Sequence, residues 1–455
     1  MKLHLRTIVS VFLFLIPAAV LSAQTGQVLP SAENTAGQQL SLTEARSLAL
    51  AKSAAVRKYT LAVDEAVLVK KAQEYAALPS LSASAAAAYN IPDSLPDGVS
   101  ASAGLSASAT VFDGGKNLVL SKKYDYALQA AREDLRAERI TVIGTVDAAF
   151  FAVLENQASR DAAQSDLDAA KLRLEIAQAK AGAGAISKSD LLETESEIAS
   201  YQAALDKAKA AFISAEVKLS SLTGQPASSK PVPVDFTVYD TVIRKLGTLD
   251  GNALDTFIGS VVSTARAGSP TYSASVLSAK EAGQSLSAAK TACLPTLSAS
   301  LNGKYTAGQG TSNTSAGVTL SAGVDLDVWA LRNSIKQAQN ALAQAEAGTE
   351  NEGEALNLNV VQAVWNWISS AMAIPSCVTA LTYARTNYEN VLEKFKLSSA
   401  TSSDVSTAQS LVSTDETALI SAQYAFLSNL STLRGLAGLE DEAEIIAAVK
   451  TGSSE

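Results

Sequence analysis

The chain has 455 residues, too many for one ordinary hydrophobic core, and 45 acidic against 36 basic side chains leave a net charge of −9, which argues against nucleic-acid binding. Its single histidine, His4, falls in a leader segment, so the mature chain lacks the commonest general base and metal ligand. With no nucleophile or metal constellation elsewhere, the expectation is no enzyme, no cofactor and no metal site.

Residues 1–23 carry Lys2 and Arg6, an apolar run from Ile8 to Leu21 and then Ser22-Ala23, the pattern of a secretory signal peptide cut after Ala23. No cysteine follows that run to take a lipid anchor. Cleavage leaves 34 basic and 45 acidic side chains, a mature charge of −11. Beyond the leader no apolar run reaches the roughly 18 residues of a membrane helix, so any spanning must be done by strands. The first repeat is expected over 24–224. It opens with a helix from Leu40, capped by Ser41 or Thr43 with Glu44 in its first turn, running to about Ala77 and stopped by Leu78-Pro79. Two strands follow, about 80–91 and 99–112. The second sets Val99, Ala101, Ala103, Leu105, Ala107, Ala109 and Val111 against Ser100, Ser102, Gly104, Ser106, Ser108 and Thr110. An apolar face backed by a small polar face suits a transmembrane barrel strand, lipid outside and water inside. The loop Pro92 to Gly98 makes the pair a hairpin. From about Lys116 to Lys180 a helix roughly 100 Å long is predicted. The segment AGAGAISKSD, 181–190, turns it into a return helix whose Leu191, Ile198, Tyr201, Leu205, Ala208, Phe212, Ala215, Leu219 and Leu222 form a heptad seam.

A linker with three prolines is expected within 225–250, and then the pattern recurs over 251–438. Pro79-Ser-Leu-Ser-Ala-Ser returns as Pro295-Thr-Leu-Ser-Ala-Ser, an offset of 216 residues, which reads as an internal duplication. The third and fourth strands, about 296–307 and 315–328, place Lys304, Asp325 and Asp327 on the polar face as lumen candidates. The second long helix, from about Leu331, is expected to break or kink at Ile374-Pro375-Ser376. After a turn at Ser398 to Asp404, its partner carries a seam of Val405, Ala408, Val412, Leu419, Ala422, Phe426, Leu433 and Leu436. The tail, 439–455, reads as a short acidic helix and then disorder. Cys293 and Cys377, two cysteines in an oxidising compartment, are too few for a disulfide scaffold and are read as small unpaired core residues; Phe150, Phe151 and Trp365 are read as helix-packing residues.

The helix opening LSLTEARSLALAKSAAV, the strand-to-helix corner VFDGGKN, the turn AGAGAISKSDLL with Gly224 closing its return helix, and the two-copy layout resemble the TolC-like outer membrane efflux proteins. The resemblance implies a mainly α chain with a transmembrane β-barrel. Long antiparallel coiled-coil helices would form a periplasmic α-helical tunnel, and a homotrimer would share a twelve-stranded barrel, four strands from each chain. It further implies an exit duct of a tripartite efflux or type I secretion system, seated in the outer membrane, reaching into the periplasm and working with a periplasmic adaptor (membrane fusion) protein and an inner-membrane transporter. Its turns would meet the adaptor through Gly184, Ala185, Ile186, Ser187, Ser398, Ser399 and Ala400. Asp190 and Asp404 would stand at the periplasmic gate or tip, although both also sit where helix caps belong. The constriction companion three residues after Asp404 is Thr407 here, so one acidic ring is expected rather than two. Independently of the resemblance, four strands cannot close around water, and open edges in lipid leave backbone groups unpaired. A trimeric coiled-coil surface adhesin or structural envelope protein is the competing reading; the short loops between strands disfavour it.

Overall fold

A computed structural model describes residues 39–90, 98–227, 229–248, 251–308, 311–324 and 327–451. The leader, most of the Pro92 to Gly98 loop, Asp325 and the last residues of the tail lie outside the described residues. In chain order the elements are β1 (Gln39–Leu40), α1 (Leu42–Lys52), α2 (Ala54–Tyr75), β2 (Ser80–Asn90), β3 (Gly98–Phe112), α3 (Lys116–Gly182), α4 (Lys188–Thr223) and β4 (Lys230–Pro231). They continue with α5 (Asp240–Gly247), α6 (Gly251–Gly268), α7 (Pro270–Thr291), β5 (Thr296–Gly308), β6 (Thr311–Gly323), α8 (Val328–Lys396), α9 (Ser402–Leu436) and α10 (Ala443–Thr451).

Four of the strands form one antiparallel sheet in the order β2-β3-β5-β6, so the two repeats meet at β3 and β5. Helices join it at one end only. α3 has 67 residues and α8 has 69, so at about 1.5 Å per residue each extends about 100 Å from the sheet. α2, α3, α7 and α8 pack side by side near the sheet, and α4 and α9 return from the far end against α3 and α8. Every residue of the two predicted heptad seams is buried or half-buried.

The corner into α3 follows from its residues. Gly114 and Gly115 take φ of +69° and +84°, the left-handed region that glycine enters without strain. A Cβ on Gly114 would come within 2.7 Å of Leu294 Cβ. Asp113 accepts hydrogen bonds from the backbone N–H of Gly115 (2.9 Å) and Asn117 (2.7 Å), satisfying donors that a helix start leaves free. In the second copy Asp327 does the same for α8, accepting from Ala330 N–H at 3.0 Å. The fourth strand therefore stops at Gly323 rather than near 328, and Asp327 is a helix cap, not a strand residue facing a lumen.

The first helix is not continuous from Leu40 to Ala77. It breaks at Ser53, whose extended ψ of 120° ends α1 and whose hydroxyl accepts from Val56 N–H to start α2. The same break recurs between α6 and α7 at Ser269, which accepts from Tyr272 N–H. Ser53 and Ser269 stand 216 residues apart, the offset of the strand repeats.

The segment expected as a linker is folded. Lys230–Pro231 pairs in parallel with Gln39–Leu40, and α5 buries Val242, Ile243 and Leu246. The tail is likewise not merely a solvated acidic helix, since α10 buries Ile445 and Val449 against α5 and α6. Together with α1 these segments wrap the middle of the long helices, where Val146, Phe150, Trp367, Phe426 and Leu433 form the main core. α8 runs without a break through Pro375; Trp365 is half exposed, and Trp367 is the tryptophan that packs, stacked on Phe426 at 5.7 Å. Phe150 and Phe151 are buried as expected. Neither cysteine is a core residue. Cys293 is exposed, Cys377 is half-buried and both are free.

Candidate functional site

Two hairpin tips close the ends of the long helices. In the first, α3 runs out through Ala183 and Gly184 (φ +71°), and α4 starts from Ser187. Ser187 Oγ accepts from Asp190 N–H at 3.1 Å while the Asp190 carboxylate accepts from Ser187 N–H at 3.2 Å, a reciprocal capping box. In the second tip Ser398 takes φ +60° where the first has glycine. Thr401 and Asp404 form the matching box, Thr401 Oγ1 accepting from Asp404 N–H at 3.1 Å. Asp404 in return accepts from Thr401 N–H at 2.8 Å and from its hydroxyl at 2.7 Å, and these bonds hold its carboxyl below the ordinary aspartate range. Neither aspartate is itself the first cap residue; each sits three positions in. Asp404 and Thr407 open onto a groove of about 640 Å³ between α8 and α9, and Asp190 lies outside it. Of the turn residues, Gly184, Ala185, Ser187, Ser398 and Ser399 are exposed. Ile186 and Ala400 are half-buried against a small cluster of Ala177, Phe395 and Val405 that staples the two tips together.

Above the tips, polar ties that sequence reasoning missed join the helices. Arg173 on α3 is fully buried, forms an ion pair with Glu197 of α4 and donates to Gln409 Oε1 of α9 at 3.2 Å. Gln409 donates to the Asp166 carbonyl at 2.7 Å, and Ser406 donates to Glu197 at 2.6 Å. Burial pushes the Asp166 carboxyl up, against hydrogen bonds from Ser413 and Gln409. A second tie lies in the main core. The buried Asp147 carboxylate receives Arg46 Nε at 2.6 Å, Ser431 Oγ at 2.6 Å and Arg434 Nη2 at 2.8 Å, and Arg46 also reaches Glu442 at 3.2 Å. One node thus binds α1, α3, α9 and the segment leading to α10. Its signal in the sequence was a charge inside an apolar run, VDAAFFAVL.

At the other end of the molecule the strand register sorts the side chains by face. Cα partners share a face, so Ser80-Ser108-Ser300-Thr319, Ser82-Ser106-Asn302-Gly317 and Ser84-Gly104-Lys304-Ser315 are successive rows of one polar surface. The opposite surface carries Leu81, Leu105, Leu301, Val318 and Leu320, between 55% and 80% exposed. Large apolar residues turned outward and hydroxyls on the other face are the inverse of a soluble sheet packed on a core. Of the three lumen candidates only Lys304 is placed on the polar face; Asp327 caps α8 and Asp325 is outside the described residues. Among the described residues no cluster of histidine, cysteine or acidic side chains could hold a metal, and no helix is long and apolar enough to cross a membrane.

A family model described as outer membrane efflux protein matches residues 45–225 and 261–439, one match for each repeat. The chain belongs to the outer membrane efflux protein family. Members of this family are channels rather than enzymes. The fold of this efflux protein agrees with solved outer-membrane channels. CusC aligns with a TM-score of 0.76 at 16% identity, covering 90% of this chain and 96% of that one. VceC from Vibrio cholerae aligns at 0.73 and 16%, covering 87% and 96%. The open state of the Neisseria gonorrhoeae MtrE channel aligns at 0.71 and 18%, covering 88% and 89%. No curated protein matches the chain by sequence.

Proposed function

We propose that three copies of this chain form the outer-membrane exit duct of a tripartite efflux or type I secretion system, closing a twelve-stranded barrel and a helical tunnel that extends into the periplasm. The observation that carries this reading is that both flanks of the protomer are unfinished. At the sheet, β2 and β6 are edges whose backbone groups have no ladder partner on the outer side, at several kcal/mol for each unpaired group in lipid. Among the helices, the same two flanks are α2 with α4 on one side and α8 on the other. There Leu61, Leu68 and Tyr75 on α2, and Leu358, Trp365 and Met372 on α8, recur at seven-residue steps and are 50% to 65% exposed. Those are heptad seams awaiting helices. Different surfaces on the two flanks make a head-to-tail contact, which closes as a ring.

Five exposed residues at the tips, Gly184, Ala185, Ser187, Ser398 and Ser399, are the surface we assign to a periplasmic adaptor, beyond which an inner-membrane transporter would supply the cargo. The expected behaviour in detergent is a trimer that runs as such on a gel until boiled. Light scattering that found a monomer with its strands still folded would sink the reading.

A further inference from the structure

We propose that Lys304 makes the barrel lumen an anion-favouring passage, so that solutes bearing phosphate, sulfate or carboxylate groups are drawn through it in preference to cations. The inference rests on the trimeric barrel above. Lys304 is the one charged side chain in the four described strands, and its row is otherwise Ser84, Gly104 and Ser315. No carboxylate on the described polar face neutralises it, and Gly104 leaves the adjacent place without a side chain. Asp327 lies outside the strands, where it caps α8.

Twelve strands about 4.8 Å apart, tilted about 40°, enclose a barrel of radius about 12 Å. A lysine stem reaching inward about 6 Å brings three ammonium groups to about 10 Å from one another. The screening length is about 10 Å in 0.1 M salt, so every path along the axis lies within reach of the ring, and low-dielectric walls concentrate its field. The hydroxyls around it can bind a solute of either sign, which leaves Lys304 to set the preference.

The test uses intact trimers in liposomes with Cys293 and Cys377 replaced by serine and a reporter Ser82→Cys. Ser82 is two strands and one polar row from Lys304, beyond the screening length on an open surface. Reaction rates are compared for an anionic sulfonatoethyl and a cationic trimethylammonioethyl thiosulfonate reagent. With Lys304 present the anionic-to-cationic rate ratio should exceed that of Lys304→Gln about fivefold in 0.1 M salt, Lys304→Arg should retain it, and 1 M salt should abolish the difference. A ratio indifferent to Lys304→Gln overturns the proposal while leaving the duct intact. A companion Val318→Cys, on the opposite face, separates the two failures. If it reacts with both water-soluble reagents and Ser82→Cys does not, the polar face is not a lumen and the barrel reading falls as well.

Discussion

Asp404 combines two properties that pull its interpretation in different directions. Its carboxylate is tied to Thr401 N–H and Oγ1, which is the work of a helix cap, yet it is also exposed on the groove it shares with Thr407. A capped carboxylate keeps its charge, so three copies converging at a tunnel end would still repel one another and attract cations. Because its folded pKa lies below the ordinary value, the cap's contribution is present at and above that ordinary value. It is lost as pH falls through the depressed folded pKa. Neutral pH therefore leaves the tip both capped and charged. The tip and the Lys304 ring would act in series with opposite sign, so we expect Asp404→Asn in the reconstituted channel to shift ion preference further toward anions and to weaken block by divalent ions at neutral pH. Unchanged conductance properties would reduce Asp404 to the cap alone. The sequence placed Asp190 and Asp404 equivalently, but it could not show that only Asp404 opens on the groove, since that depends on how α8 and α9 splay.

Among the elements, the Asp147 node accounts for why the middle of the molecule is more than a waist. Three segments meet on the buried Asp147 carboxylate and a fourth joins through Arg46, whose bond to Glu442 spans 396 residues; Arg434 is as buried as Asp147, with burial pulling its pKa down against the charge of Asp147. Removing one member of such a pair strands the other charge in the core, a loss of about 3–5 kcal/mol, whereas replacing both by apolar residues is often neutral or better. The expectation is that Asp147→Leu alone lowers the melting temperature of the protein strongly and that Asp147→Leu with Arg434→Met recovers most of it. Equal loss in the single and double variants would mean that the node acts through packing, not charge. This scale shows where sequence patterning stops. Long helices and alternating strands were legible because period and length announce them. The breaks at Ser53 and Ser269 were not, because serine interrupts a helix only when its hydroxyl finds the next turn's N–H, as it does with Val56 and Tyr272. The packing of 229–248 was hidden for a similar reason. The three prolines within 225–250 signal irregular backbone, and only the core around Val242 and Leu246 reveals that irregular backbone can be packed.

For the whole molecule, the polar and apolar faces of the sheet were legible from alternation, but the membrane's position along the chain was not, because Ala and Ser mark no interface. The structure supplies a marker. At the helical end of the sheet Trp329 is 76% exposed, and Val328, Phe112 and Leu78 at the same end are exposed as well, while the strands beyond turn Leu81, Val318 and Leu320 outward. Amphipathic aromatic rings gather where hydrocarbon meets headgroups, so the inner boundary of the bilayer should lie at Trp329. Trp365 and Trp367 sit on the same helix nearly 40 residues further on, roughly 55 Å away from the boundary at about 1.5 Å per residue. The three tryptophans can therefore be told apart by lipid contact. In liposomes with brominated acyl chains, the quenchable part of the tryptophan fluorescence should vanish in Trp329→Phe and persist in Trp365→Phe. If Trp365→Phe is instead the variant that abolishes quenching, the helices and not the strands lie in the membrane, and the placement of the duct is inverted.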